Sequence, residues 1–396
     1  MHRALVAARY ATPVLRGALA VLLLGGCLSE RGTHAAFARG ELLAKLADAS
    51  AMSDAVIASA CASTSSEDDD HDGVPDACEA LLADRFAPVV IHSTDESNYP
   101  TNVDDFLGET VLAFRDDGCD AASEAVPVKE APTQQDLLRR SFPSPCGGAP
   151  VTSDGSRSLG KHRTYFLSDV REPVRGGSVD TRAWTTYVHA YPNDRGGVTL
   201  QYWRFYAFND ALNDHGGDWE GLHVVLGRDR APVSVRLLGH SAIRELAPRE
   251  LAWEGTHPVV YSEGGGHATR ASGEGIVARD CVDSEPCMVD LDDPSSFVRQ
   301  ETWAGGHVTW PDGQVTHGGA LVNMGEKSAP LHGQVFLRYS GLWGSPGVFY
   351  MTSGYWGPAY NETSMGDDGF ITAWCDGIDG GKLDVQRECK AVKRER

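Results

Sequence analysis

The alternation of hydrophobic and polar positions is clearest between Thr199 and Leu226. Successive side chains of a strand point to opposite faces of its sheet. In Thr199–Phe208 both faces are apolar, with Leu200, Tyr202, Tyr206 and Phe208 on one and Trp203, Phe205 and Ala207 on the other. A strand that is apolar on both faces is an interior strand. A polar loop, Asn209–Gly217, and a second apolar run, Asp218–Leu226, predict an antiparallel partner strand.

Shorter strand-like runs continue this pattern on both sides of the central stretch. They are Pro88–His92, Arg163–Leu167, Trp184–Tyr191, Leu237–Ser241, Val259–Tyr261, Gly333–Tyr339 and Gly347–Met351. The 396 residues include 44 Gly and 20 Pro, which suits many turns between short strands. The pattern predicts an all-β fold: one antiparallel, jelly-roll-like β-sandwich over residues 84–375. A short helical tether (27–60) precedes it, and a basic tail (376–396) follows it.

The N-terminus has the features of a bacterial export signal. Three arginines precede the apolar run Gly17–Leu24, which is too short to span a membrane. The run ends in LGGC at Cys27, which resembles a lipobox, so that residues 1–26 would be removed and Cys27 lipidated. Leu28, rather than Asp, favours the outer membrane if the organism has one. This predicts a lipid-anchored protein of the bacterial cell envelope; the alternative is an ordinary cleaved signal with an incidental Cys.

The cysteine count agrees with export. Apart from Cys27 there are eight Cys, an even number, as expected for disulfides in an oxidising compartment. Pairing neighbours along the chain predicts Cys61–Cys78, Cys119–Cys146, Cys281–Cys287 and Cys375–Cys389. Zinc is the weaker alternative, because no pair has the C-x₂-C spacing.

Residues 68–79, DDDHDGVPDACE, follow the spacing of a twelve-residue calcium loop. The ligand positions fall on Asp68, Asp70, Asp72, Val74 through its carbonyl, Asp76 and Glu79. Gly73 occupies the place that needs a positive φ. The loop resembles EF-hand loops and the aspartate-rich calcium repeats of thrombospondin type 3. We expect Ca²⁺ there in a structural role, within a calcium-loop appendage over residues 61–83; the alternative is an unliganded acidic linker.

The formal net charge of the chain is −20. An acidic surface repels the phosphate backbone, which argues against a nucleic-acid partner. The same charge suits cation binding, or simply a solvated and soluble surface.

A second candidate metal site lies in the central stretch. Asp210, Asp214, His215, Asp218 and Glu220 place four acids and one imidazole within eleven residues. Asp218 and Glu220 share a strand face, and we expect the hairpin to bring Asp210 and His215 to them. Such an oxygen-rich set favours Ca²⁺, Mg²⁺ or Mn²⁺ over structural zinc. The alternative is a polar loop whose groups satisfy one another.

His267 is a further candidate. Three glycines precede it in SEGGGHA, which predicts a tight turn whose backbone passes close to a neighbour and presents the imidazole. The side chain would contact the metal site or its ligand. The alternative is a histidine that only caps its own turn.

Four stretches together resemble the vacuolar protein sorting-associated protein 62 family. They are RFAPVVIHSTDESNYPTNVDDFL from Arg85, HGGDWEGLHVVL from His215, VVYSEGGGHAT from Val259 and LRYSGLWGSPG from Leu337. The resemblance covers about residues 84–375, most of the mature chain. It brings no established biochemical activity, and the family name does not imply vacuolar sorting for an exported chain.

The segment HGGDWE also resembles the GHRHDWE heptapeptide of the necrosis- and ethylene-inducing peptide-like proteins. These are secreted β-sandwich cytolysins that bind a divalent cation and recognise sphingolipid sugar headgroups. The resemblance implies a cation site formed by Asp210, His215, Asp218 and Glu220. Two departures stand out: the second His of the heptapeptide is Gly217 here, and the loop before His215 is shorter, which makes Asp214 a substitute for Asp210.

Three function classes follow from these features. The first is a lipid-anchored binding module that recognises a glycan or lipid headgroup through the metal and its rim. The alternative is a metal-dependent hydrolase in which Glu220 or His267 acts as general base on a metal-bound water, although the chain has no recognised hydrolase signature. The second alternative is a structural envelope lipoprotein whose metal only stiffens the fold.

Overall fold

The computed structural model describes residues 54–63, 67–94, 96–116, 118, 125–153, 163–168, 170–171, 175–210, 214–239, 242–273, 276–277, 288–289, 297–347 and 354–361. The predicted signal, the lipidation site Cys27, Cys119 and the pairs Cys281–Cys287 and Cys375–Cys389 lie outside these residues. In the part of the chain so described, no helix combines the length and the apolar composition needed to cross a membrane.

The regular elements are mostly strands. The helices are α1 Asp54–Ala62, α2 Asp76–Phe86 and α3 Val103–Gly108. The strands are β1 Val89–Ser93, β2 Pro100–Thr101, β3 Val111–Asp116, β4 Val126–Glu130, β5 Ser141–Phe142, β6 Val151–Thr152, β7 Arg163–Ser168, β8 Thr186–Pro192, β9 Val198–Asn209, β10 His215–Leu226, β11 Pro232–Gly239, β12 Ala242–Leu246, β13 Ala252–Glu254, β14 His257–Ser262, β15 Thr269–Arg270, β16 Ile276–Val277, β17 Met288–Val289, β18 Phe297–Glu301, β19 His307–Thr309, β20 Val315–His317 and β21 Leu321–Asn323.

Two large sheets form the sandwich. The first has the order β13-β14-β1-β18-β19-β20, with β15 beside β14, and the second has the order β12-β11-β10-β9-β8-β21, with β2 beside β9. A third, smaller sheet has the order β4-β3-β7. Among the described strands only β1–β14 and β8–β21 pair in parallel. The predicted all-β, largely antiparallel sandwich is confirmed.

The second large sheet is buried on both faces, as the sequence pattern predicts for β9. Leu200 and Tyr202 pack into the core that the two large sheets share. Trp203 and Phe205 point the other way and pack into a second core with the small sheet and Trp343. All five side chains are buried. Burial on both faces explains why β9 and its partner β10 carry the longest apolar runs of the chain.

Helix α2 packs against the core shared by the two large sheets. Its Leu82 and Phe86 are buried there, and the Tyr202 hydroxyl donates a hydrogen bond to the Ala83 carbonyl oxygen at 2.8 Å. The predicted Cys61–Cys78 disulfide is present and ties α1 to α2. Cys146 is also disulfide-bonded. The predicted calcium-loop segment therefore precedes the sandwich in sequence but shares its core in space.

Local structure departs from prediction at two described places. Gly333–Tyr339, predicted as a strand, contains the 3₁₀ turn Val335–Arg338. Its consecutive residues Phe336 and Leu337 are both buried in one core, which a strand with alternating faces does not allow. His215, predicted in the hairpin loop, instead begins β10 and pairs with Asn209. The predicted strand over residues 347–351 lies almost entirely outside the described residues.

Candidate functional site

The β9–β10 hairpin carries the central candidate residues. Its antiparallel register places Asp218 opposite Tyr206 and Glu220 opposite Arg204. Both acids are buried. Trp219, one position away, lies on the other face, in the core with the small sheet. The predicted separation of the two carboxylates from Trp219 is confirmed.

Asp218 belongs to a buried polar network. Its Oδ2 accepts hydrogen bonds from Asn209 Nδ2 and from His267 Nδ1, both at 3.0 Å. The His267 ring stacks on the Tyr206 ring with centroids 3.8 Å apart. Its Nε2 lies 3.9 Å from Glu96 Oε1. The fully buried imidazole therefore sits between two buried carboxylates.

The glycine-rich turn before His267 holds this network in place. Gly265, at φ +68°, donates its N–H to Glu96 Oε2 at 2.8 Å, and its carbonyl oxygen accepts the Asp210 N–H at 2.9 Å. His267 itself has φ +56°. The close backbone approach expected from the glycines is observed. Sequence reasoning missed Glu96, because nothing in its own neighbourhood indicates that it meets a turn so much later in the chain.

The positive charge of His267 and the negative charges of Asp218 and Glu96 stabilise one another's ionised forms. Burial by itself lowers the pKa of His267, but the carboxylates of Asp218 and Glu96 outweigh burial and raise that pKa to about 10. Burial raises the pKa of each acid. His267 outweighs it together with the charge of His215 and the Asn209 hydrogen bond at Asp218, and together with backbone N–H donors at Glu96, so both pKa values fall below their usual range. At neutral pH His267 is therefore protonated and enclosed, which argues against the expected role as general base.

The four predicted ligands of the hairpin do not form one ligand group. Asp210 is half-buried, and the ring of His215 contacts Tyr355, with centroids 5.0 Å apart. Asp218 is directed to His267, and Glu220 lies roughly 7 Å further along the same strand face. Among the described residues, three or more His, Cys, Asp or Glu ligand atoms come within 4.8 Å of one another only in the loop before α2.

The packing around Gly217 explains why this chain lacks the second His of the heptapeptide. Gly217 has φ +60°, and a Cβ at this position would lie 2.1 Å from the Trp343 carbonyl oxygen. No side chain fits there while Trp343 keeps its place. The second His of the motif is therefore excluded by packing in this chain.

The loop Asp68–Glu79 folds as its spacing predicts. Gly73 has φ +93°. The Asp68 carboxylate accepts the N–H groups of His71 at 2.9 Å and Gly73 at 3.1 Å, and Asp72 Oδ1 accepts the Val74 N–H at 2.6 Å. These bonds wrap the backbone around the acidic side chains. The side chain of Val74 is buried in the core beneath them.

The carboxylates of this loop converge in two overlapping groups. Asp68, Asp70 and Asp76 form one, and Asp70, Asp72 and Glu79 form the other, each with ligand atoms within 4.8 Å. Asp70 is 1% exposed and Glu79 is fully buried. Both oxygens of Asp70, Oδ2 of Asp72 and Oε1 of Glu79 have no hydrogen-bond partner in the protein. Buried carboxylate oxygens without donors fit a bound cation.

The pKa values of these acids also favour a bound cation. Burial, followed by the charge of Asp72, raises the pKa of Asp70 to about 7. Burial raises the pKa of Asp72 to about 6, and burial together with Asp70 and Asp72 raises that of Glu79 to about 10. Ionising these groups together is therefore unfavourable unless a positive charge joins them.

The sandwich contributes to this loop in a way that the sequence did not indicate. Asn323, at the end of β21, donates its Nδ2 to Glu79 Oε2 at 2.8 Å. Glu326 lies beside Asp70 and Asp72 in the wall of a pocket of about 400 Å³. The other residues that line this pocket are His71, Tyr191, Pro192, Ser328 and Ala329. Neither Asn323 nor Glu326 stands in a motif, so only the fold brings them to the loop.

Comparison with known proteins assigns no family to this chain. No family model and no curated protein matches the chain, so the resemblance to the vacuolar protein sorting-associated protein 62 family is not supported. Among solved structures, a necrosis and ethylene inducing protein 2 from the agent of cocoa's witches' broom disease is 15% identical, over 48% of this chain and 67% of that chain, with a TM-score of 0.27. NLPPya in complex with mannosamine is also 15% identical, over 48% of this chain and 65% of that chain, with a TM-score of 0.27. These scores are low, and the description of the fold rests on this chain's own sheets.

The acidic loop predicts a pH dependence of stability. Because the folded, metal-free protein binds protons on Asp70, Asp72 and Glu79 more tightly than the unfolded chain, its unfolding free energy falls as the pH rises from about 4 through the raised pKa values. Ca²⁺ binds the ionised carboxylates. The rise in Tm on adding saturating Ca²⁺ to EDTA-treated protein should therefore be larger at pH 8 than at pH 5. An equal rise at both pH values would contradict this.

The network around His267 predicts a large effect of its removal. His267→Ala leaves two buried carboxylates without their counter-charge, and breaking a buried ion pair in this way costs about 3–5 kcal/mol. We expect that loss of unfolding free energy in urea titrations at pH 7. His317→Ala, at an exposed position on β20, is the control and should stay within about 0.5 kcal/mol of the parent. Equal unfolding free energies for His267→Ala and His317→Ala would show that the network does not stabilise the fold.

Proposed function

We propose that this protein is an exported, lipid-anchored β-sandwich of the bacterial cell envelope that holds Ca²⁺ at Asp68–Glu79 and binds a glycan or lipid headgroup. The observation that carries the proposal is the set of buried, unpartnered carboxylate oxygens on Asp70, Asp72 and Glu79. When ionised, such a set needs a positive charge to compensate the buried carboxylates. A divalent cation supplies that compensation.

The donor set supports calcium over other metals. Asp68, Asp70, Asp72, Asp76 and Glu79 offer only carboxylate oxygens, and Cys78 of the same segment is in a disulfide. Hard oxygen donors in a twelve-residue loop suit Ca²⁺, whereas zinc and copper prefer thiolate and imidazole. The positive φ of Gly73 supports the same assignment, because it allows the sharp turn that this position of a calcium loop needs.

The pocket beside the loop supports a binding role. Its volume of about 400 Å³ suits a small polar ligand, such as one sugar ring or a headgroup. Asp70 and Asp72 belong both to the loop and to the wall of this pocket, and Ser328 adds a hydroxyl. Polar groups of this kind can bind the hydroxyl groups of a glycan or headgroup. The pocket thus brings a ligand close to the cation site.

The hydrolase alternative has weaker support. His267 is protonated and fully buried between Asp218 and Glu96. Glu220 is buried as well, opposite Arg204. A general base must reach both a water and the substrate, and neither group is placed to do so. The binding module is therefore the function that the geometry supports best.

Calcium binding and ligand binding can be tested together. In calorimetric titrations of EDTA-treated protein we expect Ca²⁺ binding, and at least about tenfold weaker binding for Glu79→Gln, because Glu79 supplies the last ligand position of the loop. Glu130→Gln, which removes an exposed acid on β4, is the matched charge control. Arrays of glycans and of lipid headgroups should show binding that EDTA and Glu79→Gln abolish.

Two outcomes would contradict the proposal in different ways. If the protein does not bind Ca²⁺, the cation site itself is wrong. If it binds Ca²⁺ but no glycan or headgroup on either array, the binding module is wrong and the structural envelope lipoprotein is favoured.

The lipid anchor is tested separately, because Cys27 lies outside the described residues. Mass spectrometry of the N-terminal peptide from protein expressed in a lipoprotein-processing bacterium should find a mature chain that begins with a lipidated Cys27. Cys27→Ser should move the protein from the membrane to the soluble fraction. An unmodified Cys27, or membrane association that survives Cys27→Ser, would contradict the anchor.

A further inference from the structure

Glu326 is a buried carboxylate whose charge is only partly matched. It follows β21 and is 2% exposed. Its Oε1 lies 2.8 Å from His189 Nε2, whereas its Oε2 has no hydrogen-bond partner in the protein. Leaving a carboxylate oxygen both buried and unpartnered is costly. The free oxygen of Glu326 therefore indicates a missing partner.

The surroundings of Glu326 show what kind of partner is missing. Glu326 shares a pocket wall with Asp70 and Asp72, and both oxygens of Asp70 also lack a partner. The negative charge of Glu326 contributes to the raised pKa values of both aspartates, after burial. The charge of His189 lowers the pKa values of both aspartates, but burial and the neighbouring acids outweigh it, so this space favours a cation over another acceptor.

A second contact joins the same part of the sandwich to the loop. Asn323, three residues before Glu326, donates to Glu79 Oε2 at 2.8 Å, while Glu79 Oε1 lacks a partner. This bond orients the carboxylate at the last ligand position of the loop. Asn323 Oδ1 in turn accepts the Gly325 N–H at 3.1 Å, which holds the turn that carries Glu326. Asn323, which ends β21, and Glu326 thus lie in one hydrogen-bonded segment of the sandwich.

We propose that Asn323 and Glu326 complete the cation site from the sandwich side, so that the cation held by Asp70, Asp72 and Glu79 links residues 67–86 to the β-sandwich. The proposal rests on the calcium binding proposed above and adds two residues outside the loop. Glu326 places a further negative charge near the cation and acts on it through a water molecule, since its carboxylate belongs to neither ligand group of the loop, and Asn323 is a positioning residue that acts through Glu79. Residues that orient or support metal ligands typically change affinity by about 10–100-fold when replaced.

The link has a consequence for folding. Helix α2 follows the loop directly and buries Leu82 and Phe86 in the core between the large sheets. A cation that binds the loop and the sandwich together stabilises this packing by its own binding free energy, since it binds only the assembled arrangement. Removing the cation should weaken the packing of the whole segment and not only of the loop.

The test compares Glu326→Gln and Asn323→Ala with the parent and with the Glu130→Gln control, all in the full chain. We expect calorimetry to show about tenfold weaker Ca²⁺ binding for each of the two variants and no change for Glu130→Gln. In EDTA, Glu326→Gln should have a Tm close to that of the parent, because the weakened contact with His189 is offset by the loss of repulsion from Asp70 and Asp72. In saturating Ca²⁺ its Tm should be lower. A merely structural role would lower the Tm in both conditions.

Hydrogen exchange measures the link itself. In the parent, Ca²⁺ should slow amide exchange in residues 67–86 and also in residues 321–329. In Glu326→Gln the slowing in residues 321–329 should be lost. Parent-like Ca²⁺ affinity in both variants, or slowing confined to the loop in the parent, would overturn this inference and leave calcium binding intact. Failure of the parent to bind Ca²⁺ would overturn the proposed function as well.

Discussion

A buried carboxylate needs a counter-charge, and this constraint shapes both acidic regions of the molecule. At the β9–β10 hairpin the protein supplies the charge itself: His267 lies between Asp218 and Glu96, and its raised pKa keeps it protonated. In the loop before α2, oxygens of Asp70 and Glu79 remain without hydrogen-bond donors. The first region therefore contains its own counter-charge, whereas the second calls for a cation from solution.

The position of the second large sheet explains why both regions are buried. Strands β9 and β10 lie between two cores, so most side chains on either face are enclosed by a neighbouring layer. Polar groups on these strands must find partners in the other layers, as Asp218 does with the turn before β15. Helix α2 covers the edge of the same core, and its N-terminal loop is thereby held against β21 and the turn that follows.

The sequence predicted what depends on near neighbours. The calcium loop could be read from the spacing between Asp68 and Glu79 and from Gly73, because its bonds join residues within a few positions. The alternation of side chains along a strand likewise predicted that Asp218 and Trp219 lie on opposite faces, because it depends only on neighbouring residues. The prediction was incomplete where partners come from distant segments: Asp218 was expected beside Asp210 and His215, and the structure adds hydrogen bonds from Asn209 and from the distant His267. Glu96 lies in the stretch from Arg85 that carries the family resemblance, but no spacing or neighbouring residue marked it as a partner of His267.

By itself, the sequence determined the all-β class, the interior position of β9, the fold of the acidic loop and the Cys61–Cys78 bridge. These follow from local periodicity, spacing and cysteine order. Only the tertiary structure decided that His267 neutralises the central acids, that Gly217 has no room for a side chain, and that Asn323 and Glu326 meet the loop. The physical reason is that burial and charge pairing depend on which distant segments pack together, and a one-dimensional pattern does not contain that information.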